Sequence, residues 1–293
     1  THSVSSTGNR KIFTISAWVK VNANTVNQTI FGAGTAGSNS GKFYFAISNG
    51  VVRIGGGANV YVVSTTVLRD PASWYHLVCA VDTTQAGASS DRIKLYINGV
   101  QETDFTTTNY TSQDQNTPVN ESGKINTFGA EQGGGESWDG YMTHMVLVDG
   151  AQLTASNFGE TDSTTGEWKP KEDLSGLTFG TNGCWLKFEN AANLGLDSSG
   201  NGNNWTVSGA GTNAQSTDTA SNNFATYNPL AKDGTPADNH DYTLGNTVVQ
   251  NSSNNWFTAF GSLGIPTSGK WYYEYTTSGS GTIDQLIGFA KSN

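Results

Sequence analysis

The chain has 293 residues, with 15 Lys and Arg against 24 Asp and Glu for a formal net charge of −9. Basic residues so few and so scattered form no stripe that could follow a phosphate backbone, which argues against a nucleic-acid partner. Charged residues are only 13% of the chain while glycines number 36, and Asn, Ser and Thr fill the intervals between apolar segments. Such a composition suits short strands joined by tight turns and excludes a helical bundle. No apolar run approaches the roughly 20 residues that cross a bilayer, and THSVSSTGNRK has no apolar h-region of the kind a signal peptide carries.

The apolar period is two almost throughout. In FTISAWVKV, residues Phe13, Ile15, Ala17, Val19 and Val21 share one face, and Thr14, Ser16 and Lys20 the other, which predicts a half-buried antiparallel strand. KFYFAIS repeats the pattern with Phe43, Phe45 and Ile47. WYHLVCAVD, Trp74 to Asp82, is apolar on both faces and predicts a central strand. RIKLYINGV turns Ile93, Leu95 and Ile97 inward and then presents Asn98-Gly99, a pair that tolerates positive φ and predicts a two-residue hairpin. YMTHMVLVDG, from Tyr141, is a further buried strand, and LTASNFGE a helical turn with Thr154 as its N-cap. Cys79 and Cys184 each sit in an apolar strand and read as free buried thiols, with a bridge between them left open.

Beyond Glu160 the texture becomes polar, and Pro170 with repeated glycines argues against a core strand until CWLKF at Cys184. A domain is therefore expected over residues 1–165. A connector with short strands follows over 166–223, its stretch Asp197 to Asn223 a surface connector with one short strand at Trp205 to Val207, and a last β-region over 224–293 carries WFTAF, WYYEY and QLIGFA.

The arrangement ISAWVKV, WYHLVCAVD, IKLYINGV and WDGYMTHMVLVDGAQLT resembles the laminin G-like, concanavalin A-like jelly roll, with Trp18 and Trp74 as anchors of the sandwich core. Downstream, FGETD, GEWKPK, FGTNGCWLKFEN, LGLDSSGNGNNW and TDTASNNFATYNPL are similar to motifs of phage structural proteins, and SGKWYYEY with LIGFA resembles the opening strands of a SPRY domain. The resemblance thus implies an all-β protein: an antiparallel jelly-roll sandwich followed by a partial SPRY-like β-sandwich. It also implies a virion protein, of a tail fibre or the particle surface. The laminin G-like strand that normally precedes ISAWVKV is missing, and the SPRY resemblance stops halfway. The expected natural product is accordingly longer than 293 residues at both ends. It is expected to act as a homo-oligomer, a trimer if it forms a fibre.

Catalysis is not expected. A retaining glucanase needs two carboxylates about 5 Å apart, commonly as Glu-x-Asp-x-x-Glu, and Glu102-Thr103-Asp104 and Glu160-Thr161-Asp162 both lack the third acid. The four histidines show no metal-ligand spacing, and Gly55-Gly56-Gly57 does not have the context of a phosphate loop. No cofactor is expected. A structural calcium held by loop oxygens at Asp82, Asp91, Asn98, Glu136 and Asp139 stands beside the reading of these as solvated surface groups. For a glycan, GGGESWDGY offers Trp138 between Glu136 and Asp139, an aromatic flanked by acceptors; the same residues also read as the turn into the next strand. Two functions follow: a module that binds a host-surface polysaccharide or another receptor, and an architectural virion protein that contacts only other virion proteins.

Overall fold

The computed structural model describes residues 1–22, 27–35, 41–132, 135–209, 215–228, 240–243, 246–251, 258–264, 268–270 and 272–276. Thr1–Ser262 is one compact unit and Leu263–Asn293 a second. The strands are β1 (His2–Ser3), β2 (Ile12–Val21), β3 (Gln28–Gly34), β4 (Phe43–Ser48), β5 (Val51–Gly56) and β6 (Asn59–Val67). There follow β7 (Tyr75–Asp82), β8 (Ile93–Ile97), β9 (Val100–Glu102), β10 (Phe105–Thr108), β11 (Ile125–Phe128) and β12 (Gly140–Asp149). The last are β13 (Gly159–Thr161), β14 (Trp168–Pro170), β15 (Cys184–Leu186), β16 (His240–Thr243) and β17 (Val248–Asn251).

Two antiparallel sheets make the sandwich, one of seven strands in the order β1-β11-β3-β4-β5-β6-β10 and one of six in the order β15-β12-β2-β7-β8-β9. This is an all-β antiparallel jelly-roll sandwich. Its interior is filled by the inward residues of the period-two segments: Phe13, Ile15, Ala17 and Val19 from β2, Phe43, Phe45 and Ile47 from β4, and Leu77, Cys79 and Leu95 from β7 and β8. Central β7 is buried along its whole length. Asn98 and Gly99 both have positive φ, 49° and 85°, and close the β8–β9 hairpin with Ile97 opposite Val100. Both cysteines are free and buried, and burial pushes their thiols up.

The second face of β2 departs from the half-buried expectation. Thr14 and Ser16 are fully buried, and Trp18 and Lys20 are each only 2% exposed. The cause is downstream sequence that covers the outside of the six-stranded sheet. Val78, Ala80, Val146 and Val148 on that outer face pack against Ala155, Phe158, Leu174, Phe179 and Trp185. The polar outward residues are tied to the cover: the Thr14 hydroxyl donates to the Ala151 carbonyl (2.7 Å) and accepts from the Leu153 amide (2.8 Å). Trp18 and Trp74 belong to this outer layer, with Ala220, and not to the space between the sheets. Alternation assigns residues to a face; it cannot say which face is the inner one.

Residues 166–223 are therefore no bare connector. β15 pairs with β12, Met145 opposite Leu186, and becomes the outermost strand of the six-stranded sheet. Trp205 lies outside any strand, contrary to the strand expected at Trp205 to Val207, but its ring packs into the sandwich core against Phe128, centroids 4.6 Å apart. The Thr206 amide donates to the Thr1 carbonyl (2.8 Å), and the Thr1 ammonium to the Thr206 carbonyl (2.7 Å). The helical turn is a 3₁₀ segment, Ala155–Asn157, which Thr154 precedes without a side-chain cap bond.

The cover is closed by a buried ion pair. Lys20 Nζ donates to Asp218 Oδ2 (2.8 Å), Asn223 Oδ1 (2.8 Å) and the Phe224 carbonyl (3.0 Å), and Trp74 Nε1 donates to Asp218 Oδ1 (2.9 Å). The two charged side chains are 2% and 4% exposed. Of the last β-region, β16 and β17 form an antiparallel hairpin, His240 opposite Asn251. Trp271 and the whole of LIGFA lie outside the described residues.

Candidate functional site

With the outer face of the six-stranded sheet covered by downstream sequence, the outer face of the seven-stranded sheet bears a cavity. It measures about 260 Å³, and its lining includes Asn27, Lys42, Tyr44, Arg53, Glu131 and Glu136. That is just under the roughly 300–1,000 Å³ of typical small-molecule sites.

The register of one hairpin builds its floor. Asn49 and Gly50 adopt positive φ, 51° and 77°, so that Ser48 pairs with Val51, Ala46 with Arg53 and Tyr44 with Gly55. Tyr44 lies across Gly55: a Cβ at that glycine would fall 2.2 Å from the Tyr44 hydroxyl oxygen. The hydroxyl donates to the Asn59 carbonyl (3.3 Å). Lys42 Nζ stands 5.6 Å from the ring centroid and the Arg53 guanidinium carbon 5.8 Å, both within cation–π reach. Burial raises the Tyr44 phenol above its ordinary range, and Arg53 and Lys42 pull it partly back. The ring is therefore a neutral platform.

Acids and amides form the wall. Glu131 accepts from Lys42 Nζ (2.7 Å), and Glu136 Oε1 accepts from Asn27 Nδ2 (3.1 Å). Ser48 Oγ donates to Asn27 Oδ1 (2.5 Å). Glu136 has a φ of 45° and its carbonyl accepts from the Thr29 amide (2.8 Å), which pins the loop to β3.

Glu136, Trp138 and Asp139 are adjacent in sequence but face different ways. Glu136 reaches the cavity. Trp138 packs in part against the sandwich core with its Nε1 buried, so its ring is not an open platform. Asp139 accepts from Asn22 Nδ2 (2.9 Å) and its amide donates to Gln28 Oε1 (2.8 Å), fastening the loop to the ends of β2 and β3. Tyr44, Lys42, Arg53 and Glu131 were not singled out from sequence. A signal existed: Asn49-Gly50 is a hairpin pair, and counting back from it sets an outward tyrosine opposite a glycine.

The other candidate groups hold the structure together. Asp82 accepts from the Thr84 amide and hydroxyl and from Gln85 Nε2, and Asn98 Oδ1 from the His76 amide. Asp91 lies 3.9 Å from Lys94. Among the described residues, no three His, Cys, Asp or Glu side chains converge as a metal-ligand set. His76 is fully buried, stacked on Trp18 with centroids 4.5 Å apart. Its Nδ1 accepts from Trp168 Nε1 (3.0 Å), so the neutral ring carries its proton on Nε2, toward Ser16 Oγ (2.8 Å). Burial, and to a lesser degree His144, pushes its pKa down to about 3. Glu102 accepts from the Asp104 amide (3.1 Å), and Asp162 is held well below the usual carboxylate range by Lys169 and the Thr164 and Thr165 amides.

A family model described as the concanavalin A-like lectin/glucanases superfamily matches residues 1–157. A comparison with curated proteins finds no match. Among solved structures, the native heptameric SAP-like pentraxin of Limulus polyphemus is similar at 18% identity and a TM-score of 0.37, over 52% of this chain and 70% of that one. The IT-sialidase CBM40 of Ruminococcus gnavus, bound to α2,3-sialyllactose, is similar at 16% identity and a TM-score of 0.37, over 50% of this chain and 78% of that one.

Proposed function

Because the chain belongs to the concanavalin A-like lectin/glucanases superfamily, we propose that it is a non-enzymatic carbohydrate-binding protein whose site is the cavity over Tyr44. One observation carries the reading: the Tyr44 side chain, its hydroxyl end over Gly55, lines a cavity together with hydrogen-bonding and charged side chains. Sugars present an apolar C–H face and a rim of hydroxyls, and such a floor and wall answer both. Glycan cleavage would need a protonated acid in the cavity. Glu131 is ion-paired to Lys42 and Glu136 accepts from Asn27, so both acids are engaged within the wall.

The setting we propose is a phage virion, on a tail fibre or the particle surface, with a bacterial envelope polysaccharide as receptor. The motif string from FGETD to TDTASNNFATYNPL supports it. The SPRY-like reading of residues 224–293 rests on the same resemblance. Fibres present several weak sites at once, which suits a cavity of this size. The test is saturable binding of the isolated protein to a panel of envelope polysaccharides, with Tyr44→Ala and circular dichroism as fold control. Binding that a folded Tyr44→Ala loses supports the proposal. Binding to virion proteins alone, or binding indifferent to Tyr44→Ala, overturns it.

A further inference from the structure

We infer that the cavity selects an acidic sugar residue, one whose carboxylate or sulfate ester seats on Arg53; this rests on the carbohydrate-binding reading above. Two cations flank Tyr44, and their circumstances differ. Lys42 Nζ is paired with Glu131 at 2.7 Å. Arg53, among the described residues, has no carboxylate within ion-pair distance, and its guanidinium stands over the Tyr44 ring.

A guanidinium carries five N–H donors in a planar fork that matches the two oxygens of a carboxylate. The cross-strand neighbours of Arg53 are Ala46 and Val63, whose side chains bring no competing acceptor. The acids of the wall are already engaged, Glu131 by Lys42 and Glu136 by Asn27, and remain as acceptors for sugar hydroxyls. Bulk attraction for anions is absent in a chain of net charge −9, so a preference for an acidic glycan must come from a local group.

The test uses the full 293-residue chain and matched pairs of probes: galacturonate oligosaccharides against their methyl esters, and dextran sulfate against dextran. Each pair keeps the sugar and removes the charge, and the two pairs separate carboxylate from sulfate. The acidic member of at least one pair is expected to bind about tenfold or more tightly than its neutral partner, the scale of a charge-assisted hydrogen bond. Arg53→Gln should erase that preference with an unchanged thermal midpoint, and Arg53→Lys, which lacks the fork, should keep only part of it. Equal binding of acidic and neutral members sinks the inference and leaves the carbohydrate-binding reading intact. So does a preference that survives Arg53→Gln. Binding of neither member of both pairs also overturns the inference, and the wider reading is then decided by the envelope-polysaccharide panel.

Discussion

Lys20→Met removes the cation that holds residues 218–224 onto the outer sheet face. In the native protein Nζ makes three bonds of 2.8, 2.8 and 3.0 Å, and the Lys20 and Asp218 side chains are 2% and 4% exposed. Methionine matches the stem in length but leaves Asp218 as a buried charge with only Trp74 Nε1 and the Phe224 amide to answer it. Removing one partner of a buried pair costs about 3–5 kcal/mol, against about 0–1 kcal/mol for a surface pair. Urea unfolding monitored by tryptophan fluorescence reads the difference directly, since Trp18 and Trp74 lie in the same layer. The double variant Lys20→Met with Asp218→Leu should recover part of the loss, because it removes the stranded charge. A loss below about 1 kcal/mol for Lys20→Met would mean that the pair is solvated and that residues 218–224 do not seal the face.

Three further outcomes follow from the packing. The neutral His76 ring is favoured by the fold, so its contribution is complete above its ordinary pKa near 6.5 and is lost as pH falls toward about 3; from pH 6.5 to 4.5 the loss is about 2 kcal/mol, and His76→Gln should flatten the dependence of the unfolding free energy on pH by that amount. A chain cut after residue 165 loses β15, Phe179, Trp185 and Trp205 and bares Val146, Val148 and Trp18; it should bind a hydrophobic dye and unfold without cooperativity, and a cooperative transition would show that the cover is dispensable. Gly55→Val places side-chain atoms where the Tyr44 hydroxyl lies, so it should cost about 1–3 kcal/mol and weaken glycan binding, and unchanged binding would separate Tyr44 from the site.

The period-two alternation of Phe13 to Val21 and of Phe43 to Ile47 was enough to group the residues that fill the sandwich interior on one face, and Asn98-Gly99 to place its hairpin. What alternation cannot report is a second layer. Thr14, Ser16 and Lys20 look like solvent-facing residues, and their burial depends on partners as far away as Asp218, 198 positions along the chain. The covering segment is itself polar and rich in glycine, so apart from Trp185 in CWLKF its apolar contacts, Leu174 and Phe179, do not stand out. The site shows the same limit. Trp138 draws attention because it is a tryptophan among glycines, yet it turns inward, whereas Tyr44 and Arg53 come from adjacent strands and meet only through the register set at Asn49-Gly50.

The central claim is that a glycan occupies the cavity over Tyr44. Hydrogen–deuterium exchange of the full chain, with and without a polysaccharide that it binds saturably, tests it most directly. Protection is expected only in peptides spanning residues 41–60 and 131–136, where Lys42, Tyr44, Arg53, Glu131 and Glu136 lie. Protection centred on residues 215–224, over the other sheet, with none at residues 41–60, would contradict it.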